Sequence, residues 1–284
     1  MLVHRAKTAG FCMGVSLALH KLDNAIRQYA SHPDRRLCTL GPIIHNPQVL
    51  ADYENRGVTC LKDTSTVTDR DVVVIRAHGI TREVEADLHA CGAAIVDATC
   101  PKVKKAQTSI ARATEDGSAL LLFGEADHPE VRGLVSYAHG DKFVFADLKS
   151  LQELELSPEK SWVLASQTTQ DAGLFTEIRA YLESRLPRLT VLATICDATG
   201  ERQKEARSIA TGVEAMVVVG GRQSGNTRRL AGLAAESGIA TYHVESIREL
   251  SGADFAGRRT VGLTAGASTP KALIDEAEEW LTSL

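Results

Sequence analysis

Val96-Asp97-Ala98-Thr99-Cys100-Pro101 is the stretch from which the fold is read. The apolar run Ala93 to Val96 leading into it has the length of a buried strand, and Pro101 opens a helical pattern after it. Between the two, a turn of small residues presents one thiol. A cysteine at the end of a strand and the start of a helix is held as thiolate more readily than a free one, because unpaired backbone N–H groups favour the anion. The arrangement recurs. Cys12 follows the strand candidate Leu2–Thr8 and precedes a helix around Met13–Ala30, and Cys196 follows Leu189–Ile195 and precedes a helix around Gly200–Thr211. Each third of the chain thus carries one cysteine in the same local setting.

Outward from these points, short apolar runs alternate with helical patterns along the whole chain. Further strand candidates are Leu37–Leu40, Val72–Ile75, Ala93–Val96, Ala119–Phe123, Phe143–Phe145, Trp162–Ala165, Ala215–Val219, Thr241–Val244 and Thr260–Thr264. Several are apolar throughout, as strands covered by helices on both faces are. Val15, Leu19, Leu22 and Ile26 fall at helical spacing, Asn46-Pro47 reads as a cap with proline at the first helical position, and Thr81 opens a helix that Gly92 closes. Such alternation implies right-handed β-α-β units and parallel sheets. The expected fold is α/β, in three modules: 13–99, 100–195, and 196–284 completed by the N-terminal strand in 1–12.

Polar loops recur in step with the cysteines. A first loop carries His45-Asn46-Pro47, then Asp127-His128-Pro129, then Ser224-Gly225-Asn226. A second carries His78-Gly79, then Gln167-Thr168-Thr169, then Ala267-Ser268-Thr269. The layout repeats although the side chains do not. Ligands of open α/β sheets bind beyond the carboxyl ends of the strands, so facing modules would bring three thiols and six loops to one cavity. Several of the loops also open helices, whose N-termini favour anions.

The chain of 284 residues is 44% hydrophobic and carries a net charge of −4, which gives no basic surface for nucleic acid. No apolar run is long enough to span a membrane, and no apolar signal region stands at the N-terminus, so a cytoplasmic location is expected. Six cysteines without a secretory signal read as reduced thiols or metal ligands. Cys38, Cys60 and Cys91 lie in strand or helix-end patterns and are read as structural. Cys12, Cys100 and Cys196, with no obvious fourth ligand, suit a soft metal with an open position. Zinc on three thiolates is one option. An iron–sulfur cluster is the stronger one, with one iron left as a Lewis acid; spacing alone does not choose the metal. His45, His78, His128, Ser224, Asn226 and Ser268 are hydrogen-bonding groups suited to a many-oxygen anion such as a diphosphate. Glu130 is the one loop carboxylate placed to face the cavity and to act as an acid. His4, His20, His32, His89, His139 and His243 lack the strand-end setting and are read as surface or structural.

Together, Gly10-Phe11-Cys12-Met13-Gly14-Val15, Ile44-His45-Asn46, Ala77-His78-Gly79, Asp97-Ala98-Thr99-Cys100-Pro101, His128-Pro129-Glu130-Val131-Arg132-Gly133, Gln167-Thr168-Thr169, Cys196-Asp197-Ala198-Thr199 with Arg202-Gln203, and Thr264-Ala265-Gly266-Ala267-Ser268 resemble the 4-hydroxy-3-methylbut-2-enyl diphosphate reductase family over nearly the full chain. The resemblance implies a trefoil of three pseudo-threefold-related modules around a [4Fe–4S] cluster held by Cys12, Cys100 and Cys196, with one open iron for the substrate hydroxyl. It implies that His45, His78, His128, Ser224, Gly225, Asn226 and Ser268 hold the diphosphate region, that Thr168 lines the hydroxyl end, and that Glu130 relays a proton. It further implies an external one-electron donor of ferredoxin or flavodoxin type, and isopentenyl and dimethylallyl diphosphate as products. Gly225 stands where many members have a second serine, so a backbone N–H would replace a side-chain contact there. Lys102, Lys104 and Lys105 crowd the helix after Cys100, either as a solvated face or as a dock for an acidic donor. Two other classes remain open from the residues: a dehydratase of quinolinate-synthase type, and a zinc-binding structural protein.

Overall fold

The structure is a computed structural model that describes residues 1–32 and 34–284. Strand β1 (Leu2–Arg5) and helix α1 (Met13–Tyr29) open the chain. A first sheet follows from β2 (Arg36–Leu40), β3 (Thr59–Leu61), β4 (Asp71–Ile75) and β5 (Ala94–Asp97), with α2 (Pro47–Asn55) and α3 (Arg82–Ala90) between strands. After α4 (Pro101–Ala113) comes a second sheet of β6 (Ala119–Phe123), β7 (Lys142–Phe145), β8 (Trp162–Ser166) and β9 (Leu189–Val191), with α5 (Pro129–Ser136), α6 (Leu148–Gln152) and α7 (Ala172–Glu183). The third sheet takes β10 (Ala215–Val219), β11 (Ala240–Val244) and β12 (Thr260–Ala265), with α8 (Asp197–Ala210), α9 (Gly225–Ala235) and α10 (Lys271–Ser283).

All three sheets are four-stranded and parallel throughout, as the sequence pattern predicts. Their orders are β3-β2-β4-β5, β7-β6-β8-β9 and β11-β10-β12-β1. In each, the second strand of the module sits outside the first, then come the third and the fourth. The third module has no fourth strand of its own, and β1 fills the place, pairing Leu2 with Thr260 through to Arg5 with Leu263. Strands β2, β6 and β10 are each followed by a glycine whose N–H donates to the last residue of the next strand: Gly41 to Leu61, Gly124 to Phe145, Gly220 to Val244. Gly41 has φ +73, a conformation that side-chain-bearing residues rarely adopt, and a Cβ there would push the Arg76 guanidinium aside.

The central strands β6 and β10 are apolar because both faces are covered. In β6, Ala119, Leu121 and Phe123 join Trp162 and Leu164 in one core, whereas Leu120 and Leu122 join Val163 and Ala165 in another. In β10, Ala215, Val217 and Val219 face α10, and Met216 and Val218 pack with Ala206 and Leu230 of α8 and α9. The chain forms two compact units. One comprises Met1–Ser16, Ile44–Asp52 and Asp197–Leu284 and holds the third sheet. The other comprises Leu17–Ile43 and Tyr53–Cys196 and holds the first two.

Two strand ends fall short of the sequence reading, and one strand lies outside it. β1 stops at Arg5 instead of Thr8, because after Ala6 the N–H groups of Lys7 and Thr8 turn to the Glu205 carboxylate at 2.8 and 2.9 Å. β9 stops at Val191 instead of Ile195, where the Thr194 hydroxyl takes over as acceptor for Ser166 N at 2.7 Å. The three-residue edge strand β3 has no apolar run and escapes the pattern. Among the described residues no helix is long and apolar enough to cross a membrane.

Candidate active site

The three cysteines are fastened alike. Cys12 N donates to Ala267 O at 3.2 Å, Cys100 N to Ala77 O at 2.9 Å, and Cys196 N to Thr168 O at 2.9 Å. Each acceptor is in, or next to, the second polar loop of a module, so each thiol is pinned to the loop expected to share its work. All three are outside any disulfide and partly exposed. Each also begins a helix: Cys100 caps α4 with Pro101 behind it, and α1 and α8 start at the residues after Cys12 and Cys196. Val15 N donates to Cys12 Sγ at 3.5 Å. Cys38 is the opposite case. It is fully buried, donates to Val72 O at 3.6 Å, and burial pushes its thiol up to about 11.

Within the larger unit the expected residues form a connected series. Cys196 N binds Thr168 O, and Thr168 N binds Glu130 Oε1 at 2.6 Å. Glu130 N in turn donates to His128 Nδ1 at 3.1 Å, and the His128 ring meets the His78 ring edge to face at 5.3 Å. Ala77, beside His78, accepts from Cys100 N. Two thiols, two imidazoles, a threonine and a carboxyl are thereby linked through neighbouring contacts. His128 owes its place to Pro129, which starts α5 and makes the histidine the cap. Because His128 Nδ1 accepts, a neutral ring carries its proton on Nε2. Glu130 is 2% exposed, and burial pushes its carboxyl above the usual range against the opposing Thr168 N–H.

The smaller unit holds Cys12, His45, Ser224, Gly225, Asn226 and Ser268. Ser268 Oγ donates to His45 O at 3.1 Å, and Gly221 packs so closely beneath that a Cβ there would stand 2.6 Å from the same oxygen. Ser224 caps α9 by accepting from Thr227 N at 3.3 Å, which leaves Gly225 and Asn226 in the first helical turn, buried. Asn46 Oδ1 caps α2 through Val49 N at 3.0 Å. The Asn46 and Asn226 side-chain N–H groups are buried without a partner among the described residues. Orphaned amide donors at helix N-termini suit a bound anion.

Lys104 is not the free surface charge its sequence setting suggests. Its Nζ lies 2.8 Å from Asp97 Oδ2, and the hydrogen bond and charge of Asp97 outweigh burial to hold the ammonium above its usual range. Sequence reasoning assigned no role to Lys21, Asp97, Arg202 or Glu205, which hold the cysteine loops. Arg202 stands in a family-like motif, but Lys21 and Glu205 are ordinary helix charges with no local signal.

The LytB protein family model matches residues 3–282. A 4-hydroxy-3-methylbut-2-enyl diphosphate reductase of Desulfovibrio desulfuricans is 65% identical over 286 residues, 100% of both chains. One from Nitratidesulfovibrio vulgaris is 54% identical over 285 residues, again 100% of both. Among solved structures, the E-1-hydroxy-2-methyl-but-2-enyl-4-diphosphate reductase of Plasmodium falciparum superposes with a TM-score of 0.93 at 23% identity, over 99% of this chain and 88% of that one. An (E)-4-hydroxy-3-methyl-but-2-enyl diphosphate reductase described as the terminal enzyme of the non-mevalonate pathway is 34% identical, with a TM-score of 0.69 and 100% of both chains covered. Matched from end to end in sequence and sharing the fold of solved relatives, the chain belongs to the LytB protein family.

Proposed function

We propose that this oxidoreductase carries out the reductive dehydroxylation of (E)-4-hydroxy-3-methylbut-2-enyl diphosphate to isopentenyl and dimethylallyl diphosphate, the last step of the methylerythritol phosphate route. The observation that carries the proposal is the series Cys196–Thr168–Glu130–His128–His78–Cys100, which joins metal-ligand chemistry to a buried acid and to anion-binding imidazoles. The donor set fits an iron–sulfur cluster: three thiols outside any disulfide, each at a helix start and each tethered by its own N–H, while the buried Cys38 is held as a neutral thiol. A [4Fe–4S] cluster on Cys12, Cys100 and Cys196 would supply single electrons and, at the iron without a protein ligand, Lewis acidity.

The remaining work falls to this chain's own groups. His45, His78, His128, Ser224, Gly225, Asn226 and Ser268 bind the diphosphate, with the orphaned Asn226 amide as a dedicated donor. Thr168 lines the hydroxyl end. Glu130 carries the proton, since burial raises its carboxyl above the ordinary range and so favours the acid form. Two electrons and two protons replace the C–O bond by C–H, and the hydroxyl leaves as water. An external one-electron carrier of ferredoxin or flavodoxin type delivers the electrons. The test is an anaerobic assay of iron-loaded protein with reduced methyl viologen and the hydroxylated diphosphate. Viologen oxidation matched by both five-carbon products is expected; iron-loaded protein that oxidises no viologen refutes the assignment.

A further inference from the structure

Two long cationic side chains make the same kind of contact. Arg202, in the second turn of α8 and 6% exposed, donates from Nη2 to Gly10 O at 2.7 Å and from Nη1 to Ala198 O at 3.2 Å. Gly10 lies just ahead of Cys12. Lys21, in the third turn of α1, donates from Nζ to Asp97 O at 2.6 Å, and Asp97 lies just ahead of Cys100. Now α8 is the helix that follows Cys196, and α1 is the helix that follows Cys12. In both places, a cation from the helix after one cysteine grips the main chain that leads into another.

The grip on the Cys12 loop has two poles. Glu205, one turn beyond Arg202, accepts from Lys7 N at 2.8 Å, Thr8 N at 2.9 Å and Thr8 Oγ1 at 2.5 Å. Burial opposes its charge, but these donors hold the carboxyl below its usual range. An acid and a base one turn apart on α8 therefore take the N–H groups at one end of the 7–10 segment and the carbonyl at the other. Gly10 has φ +104, a conformation that side-chain-bearing residues rarely adopt, and Arg202 holds its carbonyl. The Cys100 loop is braced likewise: Asp97 Oδ1 accepts from Thr99 N at 2.9 Å, and Asp97 Oδ2 meets Lys104 at 2.8 Å.

We propose that Arg202 with Glu205, and separately Lys21, are positioning residues. Each fixes the loop carrying one cysteine from the helix that leaves another, so that the thiols are placed as a set. The inference rests on reading those cysteines as ligands of one inorganic centre.

Alkylation of the metal-free full-length chain with iodoacetamide, read at each cysteine by peptide mass analysis, tests the straps without cluster or substrate. Arg202→Met should speed alkylation of Cys12 by about tenfold and leave Cys100 and Cys196 unchanged, the scale expected when a charged hydrogen bond that closes a loop is lost. Lys21→Met should do so at Cys100 alone, not at the Cys12 that precedes its own helix. Arg202→Lys, which keeps a donor, should recover part of the protection. Iron release from the loaded protein to a chelator should quicken in the same variants. Equal acceleration at all three cysteines, the mark of general loosening, overturns the proposal, as does no change at any. Should Arg202→Met not fold, Glu205→Gln takes over the Cys12 arm with the same outcomes. If wild-type protein binds no cluster, the proposed function fails while the alkylation pattern still decides the straps; a loaded protein with a uniform pattern fails the straps alone.

Discussion

Replacing Glu130 by Gln separates the proton transfer proposed for the carboxyl from the fold it supports. The amide matches the carboxyl in shape, and its oxygen can still accept from Thr168 N, now 2.6 Å away. A neutral acceptor is weaker than a charged one by about 1 kcal/mol, offset by the smaller penalty for burying a group that never ionises. The melting temperature should therefore move by no more than about 4 °C. General acid catalysis contributes roughly 100- to 10,000-fold, so kcat should fall by that much with KM nearly unchanged. The pH dependence of stability gives a second readout. Burial holds the folded pKa of Glu130 above its ordinary 4.5. The carboxyl's contribution is thus whole below pH 4.5 and is lost as pH rises through the folded value. The Gln variant has no such loss, so its melting temperature should gain on wild type as pH rises through that window. Anaerobic viologen kinetics and thermal melts at several pH values check both. A variant with kcat within about threefold of wild type would show that another group delivers the proton.

Cys12→Ser, Cys100→Ser and Cys196→Ser should each abolish bound iron and activity in anaerobic preparations. Cys38→Ser should keep both, because its buried hydroxyl retains the donor to Val72 O. Asn226→Ala removes an orphaned amide from the proposed diphosphate region and should raise KM by about 10- to 100-fold with little change in melting temperature, the range for a hydrogen bond to a charged ligand. Asp71, buried, takes Arg36 in two hydrogen bonds of 2.9 and 2.8 Å and Thr68 N at 2.7 Å. The Arg36 bond, foremost, holds its carboxyl below the ordinary 3.8. Its stabilisation is whole above pH 3.8 and is lost as pH falls through the lower folded value, and Asp71→Asn should lose about 2 kcal/mol at neutral pH in urea titrations.

The alternation of apolar runs with capped helical patterns was enough to read three parallel modules, because strands such as β6 and β10 are covered on both faces and carry no polar residue. In the structure β1 takes the fourth place in the third sheet, beside β12. What escaped were features set by distant groups. Glu205 decides where β1 stops, and Thr194 where β9 stops, though neither leaves a mark in the strand itself. Strand β3 forms only because β2 offers it an edge. The candidate residues were read as strand-end loops, and of these His128, Glu130 and Thr168 are joined by hydrogen bonds. The grips of Lys21, Arg202 and Glu205 were not, because a charge on a helix face looks the same in sequence whether it meets water or a carbonyl on another loop.

The central claim is that Cys12, Cys100 and Cys196 hold one iron–sulfur centre with an iron left for the substrate oxygen. Mössbauer spectroscopy of anaerobically loaded protein, with and without the hydroxylated diphosphate, tests it most directly. The expected result is about four irons per chain, one of them distinct, and a shift of that one signal alone when the diphosphate is added. Protein that comes colourless with zinc on its thiols, or iron signals that do not respond to the diphosphate, would contradict it.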